Sequence, residues 1–290
     1  MQSFNTFLKE ETFLSEESEA LLEKLITFGG KAYPKFGNIV IMAGGAGSGK
    51  GFILSNLVGI EGKTFDVDEL KKLAAKTPAI QKRVKDELGV DIFKLSQNLK
   101  DPKNVEKLHD IIGNYLKTDK NKEKLFYRSV LTAPVDRKPN IIFDMTFKEL
   151  SKLEKVANDA SKLGYDKKNI HIVWVVNDIE VAKAQNAKRA RVVPTEILVN
   201  THRGAANTMG DIINMGNKLK KYMDGDIVFA FNKVGVDANL AKSGKGGSYV
   251  KDANYFYVKR AGKAPTPVDK LDKEIRSKIA GYVPKNVDWN

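Results

Sequence analysis

Cysteine is absent from the 290 residues, which excludes disulfides and thiolate metal sites and agrees with a reducing compartment. No apolar run approaches the roughly 18 residues of a membrane span. The first residues also lack the basic, apolar and small-residue succession of a secretory signal. We therefore expect a cytoplasmic chain with no membrane partner. No internal repeat recurs, and no linker composition marks a second domain. Acidic residues are in deficit: 36 Asp and Glu stand against 49 Lys and Arg, for a formal charge of +13 and an isoelectric point near 9.5. Two readings fit that excess, a phosphate-rich or otherwise anionic partner and a lysine-rich solvated surface.

What the chain does have is a glycine-rich turn behind an apolar run. Ile39-Val40-Ile41-Met42-Ala43 predicts a buried strand, and it leads straight into Gly44-x4-Gly49-Lys50, the spacing of a phosphate-binding P-loop. Gly44, Gly45, Gly47, Gly49 and Gly51, with Ala46 and Ser48 between them, would let successive backbone N–H groups converge on a phosphate while Lys50 reaches its outer oxygens. Residues 52–57 predict a helix whose positive end faces the same phosphate. The alternative is an ornamental glycine turn, and the strand, loop and helix order speaks against it. A Ser or Thr is missing after the lysine, where its hydroxyl usually helps to hold Mg²⁺; Gly51 stands there. Gly-Ser-Gly-Lys-Gly resembles the loop of adenylate and uridylate-cytidylate kinases, although those continue with Thr and this chain with Phe52. The departure predicts Mg²⁺ held by nucleotide oxygens, waters and a carboxylate elsewhere.

Before the loop, residues 1–36 read as a helical segment with Ser15 as N-cap, Glu16 and Glu17 in its first turn, Ala20, Leu21, Leu22, Leu25 and Ile26 on an apolar face, and Gly29-Gly30 as its end. After it, residues 63–66 predict a strand, and Asp66 and Asp68 fall where α/β folds open toward a ligand; helix capping is the competing role for either. Residues 70–135 read as a lysine-rich helical insertion, with Asp101-Pro102 a start and Ala133-Pro134 a stop. Residues 140–146 predict a buried strand ending in Asp144, in the manner of a Walker B acid. A crossover helix over 149–163 leads to a strand at 171–176. From Asp178 a helix begins in which no acid lies between Glu180 and Glu196, whereas Lys183, Lys188, Arg189 and Arg191 do. That basic stretch is either a solvated face or a lid over a transferring phosphate. Pro194-Thr195-Glu196 starts a further helix, with His202 and Arg203 near its middle. Residues 226–231 predict a fifth strand. Residues 232–290 form an elaboration holding a mobile lysine-glycine loop (241–248), which echoes a P-loop without the preceding apolar strand, a peripheral strand at 255–258 and a last helix from 266 to about 280. The simplest architecture is one Rossmann-like α/β core over 37–290 with helical elaborations.

Together, the P-loop, Phe65-Asp66-Val67-Asp68-Glu69-Leu70, Ile142-Phe143-Asp144-Met145-Thr146 and Arg189-Ala190-Arg191-Val192-Val193-Pro194 resemble the zeta-toxin family of P-loop kinases, which is similar in layout to polynucleotide and adenylate kinases. The resemblance spans roughly residues 38–205 and implies a three-layer core with a five-stranded parallel sheet ordered 2-3-1-4-5. It also implies ATP or GTP with Mg²⁺ as the donor, and an acceptor hydroxyl on a nucleotide sugar or similar small molecule, since the family's best-known members phosphorylate UDP-N-acetylglucosamine. By motif, Lys50 matches the lysine on the β- and γ-phosphates, Asp68 the base and Arg191 a lid arginine supported by Arg189. Asp144 stands where zeta toxins have Glu; with Asp66 it is expected near the hydrated metal. Separately, Met1-x-x-Phe4-x-x-Phe7-Leu8-x-Glu10, with Leu8-x-Glu10 and Leu14-x-Glu16, resembles the leaders of tailed-phage internal head proteins. That resemblance implies phage origin, a host-cytoplasm or virion location and association with the head; an ordinary amphipathic segment is the competing reading. Three functional classes stay open: a small-molecule kinase, a nucleic-acid kinase favoured by the charge, and a nucleotide-binding protein without catalysis.

Overall fold

A computed structural model describes residues 26–31, 34–117, 124, 127–128, 130–232, 240–242, 248–250, 255–267, 269–271 and 273. The leader motifs and the expected N-terminal helix before residue 26 lie outside the described residues, as does the end of the last predicted helix.

Four largely apolar runs and one polar edge strand form the parallel core: β1 (Ile39–Ala43), β3 (Ile141–Asp144), β4 (Ile170–Val176) and β5 (Ile227–Phe231), with β2 (Lys63–Asp66) at the edge. Their order is 2-3-1-4-5, as the family resemblance implies, with one addition. A sixth strand, β8 (Tyr255–Lys259), pairs antiparallel with β5 at the edge, so the sheet is mixed where five parallel strands were expected. Its Phe256 meets Phe229 edge-on at 5.4 Å, and Phe229 meets Trp174 at 4.6 Å; burying aromatic surface accounts for the added strand. Strands covered on both faces need apolar residues at successive positions, and β1 is buried throughout.

The alternation of side chains sorts the core into two layers. Ile39, Ile41, Phe143, Ile172 and Phe229 face one way. They meet Leu153, Val156 and Ala160 of α6 (Ser151–Lys162) and Met209 and Ile212 of α8 (Thr195–Asn214), each set at helical spacing. Val40, Met42, Ile142, Val173 and Val228 face Ile53 of α1 (Lys50–Asn56), with Leu57, Val58 and Ile60 after it. Ile26 and Phe28 complete this second layer. Contrary to the helical expectation, Ile26 is extended: it bridges Val58, donating to Leu57 O at 2.7 Å, because its side chain fills the layer beside α1.

Between β2 and β3 the insertion packs α2 (Val67–Lys76), α3 (Pro78–Leu88), α4 (Ile92–Gln97), α5 (Pro102–Leu108) and a π-helical turn (His109–Tyr115) around Ala74, Ala75, Val84, Ile92, Leu108 and Ile112. Asp101 caps α5 by accepting from Lys103 N at 3.0 Å, with Pro102 at the first helical position. The expected loop at 241–248 is corrected in part: β6 (Leu240–Lys242) pairs antiparallel with β7 (Ser248–Val250), and residues 243–247 lie outside the described set.

At the amino ends of the strands a polar network replaces apolar packing. The Asp226 N–H donates to His171 Nδ1 at 2.9 Å, so that nitrogen carries no proton, and Nε2–H donates to Asn38 Oδ1 at 3.3 Å. The Asp226 carboxylate also lies 3.2 Å from Nδ1. Burial of the ring outweighs that attraction and lowers the His171 pKa. The same carboxylate accepts from Gly29 N at 2.6 Å and Ala261 N at 2.9 Å, tying both ends of the described chain to the sheet.

Candidate functional site

The loop between β1 and α1 sits at the carboxyl ends of the parallel strands, where open α/β sheets place their ligands. Gly44, Gly47 and Gly49 have φ of 145°, 76° and 88°, values that glycine adopts without a Cβ penalty. Gly49 leads directly into α1, whose first N–H groups have no partner within the helix. The Lys50 ammonium turns back over the loop, donating to Gly44 O at 3.0 Å and Gly45 O at 3.4 Å. It also lies 3.7 Å from Asp144 Oδ1. Parallel register sets Asp144 beside Met42 on one side and beside Asp66 on the other, so Lys50, Asp144 and Asp66 gather at one edge of the sheet.

Polar residues from three other elements hold the loop. Asn177, just past β4, donates to Gly47 O at 3.3 Å, and Asn232, just past β5, donates to Ser48 O at 2.8 Å. From α8, Thr201 Oγ1 accepts from Ala46 N at 3.0 Å, and His202 Nε2 donates to Ala46 O at 2.8 Å. Burial lowers the His202 pKa; the Ala46 carbonyl opposes that and the Lys50 charge adds to it, so the ring is neutral at pH 7. Ser48 Oγ and Asn177 Oδ1 are buried without a hydrogen-bond partner, an uncommon condition in a folded core. Sequence reasoning missed Asn177, Asn232 and Thr201 and gave His202 no role. A short polar residue directly after each of two apolar strands was a usable signal for the two asparagines; nothing local marked Thr201.

Asp68 lies in the first turn of α2, two residues past Asp66 at the strand end, and its side chain lies outside the described residues. The basic stretch forms α7 (Ile179–Lys188), N-capped by Asp178. The helix ends at Lys188 and Arg189 is extended, so the two arginines do not share a helical face. Arg189 is exposed, and Arg191 is half-buried. Asn186 clamps the following segment, accepting from Val193 N at 3.0 Å and donating to Val193 O at 2.7 Å. Val192 N donates to Leu99 O at 2.9 Å, fastening this segment to the insertion. There Arg191 joins Lys71, Lys72 and Lys76 around a cavity of about 280 Å³ floored by Leu99, Leu108 and Ile112.

The fold is that of an α/β protein with a mixed, mostly parallel sheet and a Gly44-x4-Gly49-Lys50 loop motif. No family model and no curated protein matches the chain. Among solved structures, it is similar to a chain of the PezAT chromosomal toxin-antitoxin system of Streptococcus pneumoniae: 14% identity, 77% of each chain covered, TM-score 0.42. It is also similar to the AvrRxo1-ORF1:-ORF2 complex with ATP, at 12% identity over 96% of this chain and 73% of that one, TM-score 0.43. The same complex with sulphate ions gives 13% identity, 97% and 73% coverage, and TM-score 0.42. Overlaps this loose carry no inference about activity. Among the described residues no helix is long and apolar enough to cross a membrane.

Proposed function

We propose that this chain is a P-loop phosphotransferase that moves the terminal phosphoryl group of ATP or GTP to a hydroxyl of a nucleotide sugar or similar small molecule. The observation that carries the reading is the Lys50 ammonium held over its own loop, 3.0 Å from Gly44 O and 3.7 Å from Asp144 at the end of the adjoining strand. Phosphoryl transfer passes through a loose transition state, so fixed cations and backbone dipoles provide most of the catalysis. Lys50 and the loop N–H groups supply both. Asp68, at the start of α2, is the proposed base, and Arg191 the proposed contact to the moving phosphate, with Arg189 in support.

Mg²⁺ fits the residues present. Among the described residues no cluster of three or more side chains could hold a metal, and Gly51 offers no hydroxyl. Asp66 and Asp144, side by side in register, supply the one or two carboxylates on which Mg²⁺ leans while keeping waters and phosphate oxygens. Bound there, the ion would neutralise charge on the β- and γ-phosphates.

The size of the cavity beside Arg191 supports a small acceptor. The net charge of +13 supports a second reading, a kinase acting on a DNA or RNA end. Transfer of radiolabelled γ-phosphate to a panel of UDP-sugars, nucleosides and DNA ends tests both. Label on a UDP-sugar is the expected result. Label on DNA alone, with binding that falls steeply as salt rises, would establish the second reading. Nucleotide binding with no transfer to water or any acceptor would leave a non-catalytic protein.

A further inference from the structure

One residue of the phosphate loop, Ala46, is gripped at both its N–H and its C=O by consecutive residues of a distant helix. Thr201 gives its own hydroxyl proton to Leu198 O at 2.7 Å, which leaves a lone pair to accept the Ala46 N–H at 3.0 Å. The Ala46 carbonyl can only accept, so His202 Nε2 carries the proton of the 2.8 Å bond. The imidazole then lies across Gly45 so closely that a Cβ there would overlap Cδ2, Cγ and Nε2 of the ring. Glycine at this position is thus explained by the histidine.

The gripped limb is also the one the lysine touches, because Lys50 Nζ donates to Gly45 O. A P-loop lysine works on the outer phosphates, whereas the inner ones lie in the cradle of backbone N–H groups. The Ala46 N–H is spent on Thr201 and the Ser48 N–H on Gly45 O at 3.2 Å, so neither takes part in that cradle.

We propose that Thr201 and His202 are positioning residues that fix the loop limb beside the terminal phosphate, and so set the loop's preference for a nucleoside triphosphate over the diphosphate. This rests on the phosphate-loop reading. The clamp should matter to a ligand that reaches Gly45 and Ala46 and matter little to one that ends in the cradle.

The test is calorimetric binding of ADP, GDP and their non-hydrolysable triphosphate analogues, with Mg²⁺, to the full chain and its variants, with thermal unfolding recorded alongside. His202→Ala should weaken the triphosphate analogue about tenfold, the worth of one net hydrogen bond, and move the diphosphate less than about twofold. His202→Gln, whose amide can donate to the same carbonyl, should restore most of the loss. Thr201→Val should act in the same direction as His202→Ala and carries the comparison if that variant does not fold. A wild type that binds both nucleotides, with variants that weaken both equally or neither, overturns the assignment alone, as does a Gln variant as weak as Ala. A wild type that binds neither nucleotide overturns the phosphate-loop reading, and this assignment with it.

Discussion

Replacing Gly49 with alanine perturbs the loop in two separable ways. The residue has φ of 88° and ψ of 23°, a left-handed conformation that costs a residue with a Cβ about 1–2 kcal/mol. The new Cβ would also overlap Asn232 Nδ2, so the amide must swing away and surrender its 2.8 Å bond to Ser48 O, worth about 0.5–1.5 kcal/mol. Gly49→Ala should therefore destabilise the fold by roughly 1.5–3.5 kcal/mol. Asn232→Ala alone loses the bond but not the backbone, roughly 0.5–1.5 kcal/mol. In the double variant the bond can be lost only once, so its cost should match Gly49→Ala alone and the coupling should be about 0.5–1.5 kcal/mol. Urea unfolding of the four proteins, with m-values checked for constancy, measures it. Simple additivity would show that the amide does not sit over Gly49, and a neutral Gly49→Ala would refute the left-handed loop.

Three further outcomes follow from the proposed roles and from the buried histidines. Arg191→Ala should lower the transfer rate by about tenfold or more with little change in nucleotide affinity, and Arg189→Ala, at an exposed helix end, should do less; the ratio of kcat to KM effects in steady-state assays separates them. With the acceptor known, Asp68→Asn should keep ATP binding and lose about 10²–10⁴-fold in transfer, while Asp66→Asn should chiefly raise the Mg²⁺ concentration needed, as a metal titration would show. The pKa of His171 is lowered from 6.5 by burial, so the unfolded chain binds more protons as pH falls past that value. The stability it contributes is complete above about pH 6.5 and is lost on acidification through the folded-state pKa. His202 acts in the same direction, so His171→Gln should flatten only part of the slope seen in urea unfolding between pH 7 and pH 5. An unchanged slope would mean that His171 is charged in the fold.

Four strands of the parallel core were legible because a strand buried on both faces must be written as a run of apolar residues, and the glycine loop because Gly44, Gly47 and Gly49 take positive φ. The direction of β8 was not legible: Tyr255-Phe256-Tyr257 marks a strand but says nothing of its partner, and the antiparallel pairing with β5 rests on aromatic contacts with residues far away in sequence. Ile26 sits in a pattern that serves a helix and an extended segment equally, and its bridge to Val58 decides between them. The grip of Thr201 and His202 on Ala46 spans about 155 residues. In sequence it is only a threonine and a histidine in the middle of a helix.

Lys50 is the residue on which the account turns. Calorimetric titration of Mg²⁺-ATP and Mg²⁺-GTP into the wild type and Lys50→Ala, with thermal unfolding of both, tests it directly. A lysine that works on a ligand and not on the core should cost the fold no more than its bonds to Gly44 O and Gly45 O, about 0.5–1.5 kcal/mol each. Its loss should weaken nucleotide binding about 10- to 100-fold, the worth of one charge-assisted contact, and abolish turnover. Equal affinity and equal phosphoryl transfer in the two proteins would contradict the assignment of residues 44–51 as the phosphate site.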